Sequence, residues 1–505
     1  MKKARKLITE YKTLILVSIV VAVVVHLPLF TKNILTADVL LNTGYYSGYS
    51  WEISLGRFGL YFVGLLKGGL VIPQLEVFLS ILLFIFSMIL ILDLFEIKKK
   101  VIQVMCGVLV SVSPILSATL LFHYCSFAYA LAFFSSVITI YFLVQSRNKF
   151  VKYVIPVFLI VLSLSMYQAY LAIPLTLLLF WWMIQILKKK FHWRDFFISF
   201  GIIILGSVFY FVLMRLSLVI FHIDLSSYRG ASQFGIDTIL DIPSRIVNAY
   251  QSFYQYYFTD NIVANSNVFM QVFYILMFFL LVIGIGYSFY KNKVSLKYSL
   301  LFLFFLLLIP MLVNVVVILF PDTKMQLLMS SGYLLIFFFV FYFMQDKKVF
   351  SILTIFLFIF IIRGYIIQDS ATYQTLEHTY QKTYQVASDI RGRINKLGYQ
   401  KQVMIVGNLD QNKYYNKQDS TELNNISSYT YGFVSNYSLF WDEYSNMKNG
   451  WSRFMEGEVG TSITFVDIDT YQKILETKEY KDMEVYPDKD SIQLIDNVIV
   501  VKLAN

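Results

Sequence analysis

Charge is scarce in this 505-residue chain, with Asp, Glu, Lys and Arg together making up 15% of it. Soluble domains carry roughly 25%, so the chain cannot fold as one water-facing globule. Cysteine is scarcer still. Cys106 and Cys125 are the two, both in apolar segments, which leaves no disulfide framework, no cysteine zinc site and no ground for thiol catalysis. Dense carboxylate or histidine clusters are lacking as well, so neither a metal nor any other cofactor is expected. No glycine-rich phosphate loop occurs, and this excludes a conventional nucleotide site. Internal repeats and low-complexity tracts are likewise absent.

Apolar sequence fills the space that charge leaves. Hydrophobic residues reach 57% and aromatic residues 18%, with a mean hydropathy of +0.63. Crossing about 30 Å of hydrocarbon takes roughly 20 mostly apolar residues, and such segments occupy most of the chain up to about residue 367. They run near 14–30, 73–95, 101–119, 122–144, 151–187, 196–221, 268–290, 298–320, 326–344 and 349–367. The 151–187 stretch is too long for one span and breaks at SMYQAY, Ser165 to Tyr170. The sequence therefore predicts an α-helical polytopic membrane protein with about 11 transmembrane helices. The first segment follows Lys2, Lys3, Arg5 and Lys6, yet no small-x-small cleavage site comes after it, so it reads as a retained helix.

The net charge of +10 might suggest nucleic acid, but the basic residues cluster in short loops between spans and read as topology determinants. An odd span count with a cytoplasmic amino terminus puts nearly all of these clusters inside. The loop after the first span, the 222–266 loop and everything after Ile367 then face outward. The 222–266 loop mixes apolar residues with Tyr250, Tyr254, Tyr256 and Tyr257, a pattern that predicts helices lying at the membrane interface. Residues 1–370 form the membrane domain in this reading. Residues 371–505 form a small extracytoplasmic α/β domain with a polar helix over 371–397 and strands at 402–406, 462–466 and 497–503.

The stretch Thr36 to Tyr61 crowds Asp38, Glu52 and Arg57 against a membrane surface. Membrane-edge charges are costly and need a cavity, a partner or the headgroup layer. His26, Arg57, Glu76, His123, Arg215 and Arg363 all fall in or near the outer third of the bilayer in this topology, which suggests a shared outward cavity; snorkelling to the headgroups is the bland alternative. Asp38, just past the first span, is either a general base for an acceptor hydroxyl or a helix cap. The aromatic run around Glu52 and Arg57 suits a sugar site and equally suits an interfacial helix. The remaining cations of the outward side include Lys324, in the external PDTK turn at Pro321 to Lys324.

These residues carry a resemblance. A first span, an Asp soon after it, W-x-x-x-x-G-R-F at Trp51 to Phe58, and a span opening at Pro73 are similar to the Gtr-type membrane glucosyltransferases of bacteria. The SMYQAY turn, with its pair Tyr167 and Gln168, is similar to a further segment of that family. Many members show two adjacent acidic residues where this chain has Ala37 and Asp38. The resemblance implies a GT-C-like fold, a polyprenyl-phosphate-linked hexose as donor, a cell-surface glycan or glycopolymer as acceptor, and inverting transfer at the outer face of the cell membrane. Asp38 would then be the catalytic base, and Glu52, Arg57, Lys324, Arg215, Tyr167 and Gln168 would contact substrate. A donor that brings its own phosphate leaving group needs no nucleotide fold. The competing readings are a transporter or flippase for lipid-linked glycans, weakened by missing repeat symmetry, and a non-catalytic scaffold.

Overall fold

A chain within hydrocarbon must satisfy every backbone polar group internally, and the long apolar runs do so as helices. The computed structural model describes residues 7–228, 240–259, 268–320, 323, 325–398, 400–412, 439–440 and 443–504. Among these, the chain divides into two compact units. One takes the residues up to Leu27 together with Gly44–Asp369, and the other takes Pro28–Thr43 together with the residues from Ser370 onward.

In chain order the early helices are α1 (Lys12–Val25), α2 (Ala37–Leu41), α3 (Trp51–Ser54), α4 (Phe58–Leu66), α5 (Pro73–Leu94), α6 (Lys100–Ser111), α7 (Pro114–Leu120) and α8 (Ser126–Gln145). A π-helical turn, Phe150–Val154, leads into α9 (Ile155–Met166), and a 3₁₀ turn, Gln168–Leu171, leads into α10 (Ala172–Leu187). Then come α11 (Trp193–Phe221), α12 (Ile242–Phe258), α13 (Val268–Asn292), α14 (Leu296–Val313), α15 (Val315–Leu319), α16 (Ser331–Met344) and α17 (Lys348–Leu397). The last helices are α18 (Tyr444–Gly457) and α19 (Ile468–Leu475).

The apolar segments read from the sequence are helical over most of their length, but 101–119 and 298–320 are each divided between two helices. Among the described residues seven helices are long and apolar enough to cross a membrane, against the about 11 spans expected, and α6 with α7, bent by 45° at their junction, make an eighth if they are one span. Shorter apolar helices cover Lys12–Val25, Phe150–Met166 and Ser331–Met344. The Gln168–Leu187 helix buries 78% of its most apolar stretch, while α11 and α14 bury 28% each. The former therefore sits in the bundle interior and the latter two present broad apolar faces outward, as lipid requires.

The break expected at Ser165 to Tyr170 is present. α9 ends at Met166, Tyr167 is extended (φ −157°, ψ 107°), and the 3₁₀ turn restarts the helix. The interfacial reading of the 222–266 tyrosines needs correction. Tyr256 and Tyr257, on α12, are buried and pack with Tyr333 at ring separations of 4.2 and 5.6 Å. Tyr250 and Tyr254 remain exposed. Rings this large on an amphipathic helix gain more from a packed aromatic core than from the headgroup layer.

The second unit carries a three-stranded sheet of β1 (Val403–Val406), β2 (Ile492–Ile495) and β3 (Val498–Lys502) in the order β1-β3-β2. β1 runs parallel to β3, and β2 and β3 form a hairpin. Its two-residue turn, Asp496 and Asn497, has both φ angles positive, the twist-matched geometry that Asp and Asn tolerate. The strand expected at 462–466 reduces to one bridge, Phe465 to Val403. The polar helix expected over 371–397 exists as the continuation of the last apolar helix, within α17. In the same unit α2 lies against α18, where Leu40 approaches Gly450. Lys32 pairs with Glu377 at 2.6 Å, and Asn33 donates to Tyr380 at 2.9 Å.

Candidate active site

The G-R-F element explains itself locally. Gly56 sits at φ +77°, and a Cβ there would come within 2.8 Å of both the Tyr210 hydroxyl and Met214 Sδ. Only glycine fits that conformation and that approach. Phe58 stacks on Tyr210 with the ring planes 12° apart. Between them Arg57 opens α4 from the N-cap position, fixed by its backbone N–H donating to Glu52 O at 2.8 Å. Gly56→Ala should lower unfolding stability by about 1–3 kcal/mol, by strain and overpacking together. Thermal unfolding in detergent against wild type measures it.

The Arg57 side chain is held from three directions. Its Nη1 lies 3.6 Å from Glu52 Oε2, its Nε donates to Gln168 Oε1 at 3.4 Å, and its guanidinium lies 5.1 Å from the Tyr167 ring centre. Gln168 is itself anchored, donating to Leu55 O at 2.7 Å and to the Tyr210 hydroxyl at 2.9 Å. That hydroxyl in turn donates to Gly56 O at 3.1 Å. The broken helix at Tyr167 thus turns a Tyr–Gln pair onto the arginine. A cavity of about 50 Å³ opens here, lined by Arg57, Tyr167, Gln168, Tyr228, Thr323 and Met329 among others. A single water needs about 10–15 Å³ on such a measure, so the space takes more than one water beside the guanidinium.

A second buried ion pair stands nearby. Lys67, at the end of α4, pairs with Glu76 in the first turn of α5 and also donates to Tyr124 O at 2.9 Å. Its ammonium lies 5.9 Å from the ring of Tyr46, which packs edge-on to Tyr124 at 4.7 Å. Tyr129 packs on Tyr167 at 4.9 Å. Both carboxylates are buried, Glu52 at 7% and Glu76 at 4% exposure; Glu76 accepts a hydrogen bond from Lys67, while Glu52 faces Arg57 as an ion pair, and a nearby cation offsets part of the desolvation of each. The result is two cation–carboxylate pairs in a frame of tyrosines.

Of the residues expected at the site, Arg57, Glu52, Tyr167 and Gln168 come together. Arg215 does not join them. It is exposed on α11, 5.2 Å from the Phe211 ring of its own helix. Arg363 is likewise exposed and faces Phe269 at 5.7 Å, so these two do not share a cavity with Arg57. His26 is buried against Ser111 O at 2.9 Å. Lys324 lies outside the described residues. Asp38 belongs to the second unit, half-buried in the first turn of α2 behind the cap Thr36, whose side chain accepts from Val39 N. A carboxylate there sits in the favourable field of the helix amino terminus. Two polar features were missed by the sequence reading. Lys67 could have been found as a lone lysine ahead of two glycines and Glu76. Asp369, fully buried and accepting from Ser117 Oγ at 2.6 Å, lay just past the expected end of a span.

A polytopic helical membrane protein with a polar, arginine-centred pocket at a helix break is the class that fold and site define. The family model described as Glucosyl transferase GtrII matches residues 27–343, and the chain belongs to that family of glucosyltransferases. The match spans Asp38, Glu52, Arg57, Tyr167, Gln168 and Arg215 and stops short of the carboxy-terminal sheet. No curated protein and no solved structure matches the chain.

Proposed function

We propose that this glucosyltransferase moves glucose from a polyprenyl-phosphate-linked donor to a cell-surface glycan or glycopolymer on the outer face of the membrane. The observation that carries the reading is Arg57, braced by Glu52 and Gln168 at the edge of a cavity. In the reaction the acceptor hydroxyl oxygen attacks the anomeric carbon and gives its proton to a general base, the role that the family resemblance gives to Asp38. The bond from the anomeric carbon to the phosphate oxygen breaks with inversion, and the electron pair stays on the phosphate. Arg57 stabilises that growing negative charge with a planar fork of donors. Tyr167 and Gln168 shape the wall around the phosphate, and Glu52 fixes the guanidinium. The test is donor choice: purified protein is given polyprenyl-phosphate-glucose or UDP-glucose, and only the lipid-linked sugar should be consumed.

The proposed topology has its own check. A cysteine introduced at Ser47 should react with a membrane-impermeant thiol reagent in intact cells, and one at Ser146 should stay protected. Reaction at Ser146 with protection at Ser47 would invert the orientation.

A further inference from the structure

The turn joining α10 to α11 contains three consecutive lysines, Lys188 to Lys190, that go three ways. Lys188 pairs with Glu96 at 2.9 Å. Lys190 lines one cavity, together with Lys152, and Lys189 lines another. The second cavity, about 280 Å³, also takes Lys293, Ser295, Tyr298 and Phe191, and among the described residues no acidic side chain lines it. Both of its lysines occupy the left-handed position just past a helix end, Lys189 at φ +56° and Lys293 at φ +46°. The same pair of closing bonds surrounds each: Lys190 N to Gln185 O with Lys189 N to Ile186 O, and Val294 N to Phe289 O with Lys293 N to Tyr290 O. Glycine is the residue that adopts this position without strain. Two helix ends that each keep a lysine there, around one cavity, concentrate positive charge at a backbone cost.

A largely apolar groove begins beside this cavity, lined by Trp193, Leu296, Leu300, Leu301 and Phe304 together with Lys297. It follows an outward stripe of α14, with Leu296, Leu300 and Phe304 exposed at 76%, 58% and 54%. Gln168 at the arginine pocket and Lys189 here stand at opposite ends of one helix, about 30 Å apart at 1.5 Å per residue. The basic cavity is therefore separate from the arginine site. We infer that it binds an anionic phospholipid of the opposite leaflet, with the headgroup phosphate between Lys189 and Lys293, hydroxyls near Ser295 and Tyr298, and an acyl chain along the α14 groove. Paired cations at the end of an apolar groove complement a phosphate carried on a hydrocarbon chain, and basic pockets between spans recognise such headgroups.

The test compares phosphatidylglycerol, phosphatidylcholine and soluble glycerol phosphate as ligands of the full-length protein in detergent, read by native mass spectrometry and thermal shift. Lys189→Gly with Lys293→Gly removes both cations while relaxing the backbone, so loss of folding cannot stand in for loss of binding. Lys100→Gln is the control for general surface charge. Phosphatidylglycerol should bind and stabilise wild type and Lys100→Gln, and its affinity for the double variant should fall roughly thirty-fold, about five-fold per lysine. Unchanged affinity in the double variant, an equal loss in Lys100→Gln, or equal stabilisation by glycerol phosphate or phosphatidylcholine would overturn the inference.

Discussion

Replacing Asp38 with asparagine is expected to lower glucose transfer about 10²- to 10⁴-fold, the range that a positioned general base contributes. Asparagine keeps the size and most of the hydrogen bonding of the aspartate and removes the basic lone pair. The half-buried position of Asp38 in the first turn of α2 allows that exchange without a cavity. Thr36 keeps its bond to Val39 N, and Val39 and Leu40 keep their packing. Expression, unfolding temperature and donor binding should therefore match wild type while turnover collapses. An unchanged rate would move the base to Glu52, the next acidic residue in the loop.

The second large effect is at Arg57. Arg57→Ala should cut turnover about 10²- to 10³-fold, the scale seen when one donor to a developing oxyanion is removed. Arg57→Lys should recover only part of it, because an ammonium keeps the charge and loses the planar fork that meets two phosphate oxygens at once. Both changes should act mainly on kcat, since charge accumulates on the phosphate as the bond breaks. Acceptor KM should hardly move. A steady-state series over donor and acceptor separates these outcomes. If Arg57→Ala turned over like wild type, the phosphate would have to be held elsewhere.

The helices were legible because hydrocarbon imposes one signal, a run of about 20 apolar residues, and the break at Tyr167 was legible because its stretch was too long for one span. The grouping of Arg57 with Tyr167 and Gln168 was legible only through the family pattern. The 3.4 Å bond between Arg57 and Gln168 joins residues 111 positions apart, and no local periodicity records such a pairing. Lys67 escaped because a single lysine ahead of two glycines looks like a loop residue until Glu76 closes on it. Arg215 shows the converse. Depth along a span can be read from a sequence, but the face of α11 on which Arg215 lies depends on helix packing. β2 was missed although Ile-Gln-Leu-Ile ahead of Asp496 and Asn497 carries the alternation and turn chemistry of a hairpin.

The central claim is that the sugar arrives on a polyprenyl phosphate and leaves that phosphate behind. The direct measurement is to follow purified protein in nanodiscs supplied with polyprenyl-phosphate-glucose and a surface glycan, quantifying glucose on the glycan and free polyprenyl phosphate together. The two should rise in equal amounts, with UDP-glucose giving neither and Arg57→Ala suppressing both. Glucose transfer from UDP-glucose would contradict the claim, as would intact lipid-linked glucose crossing a sealed vesicle membrane with no glycan product.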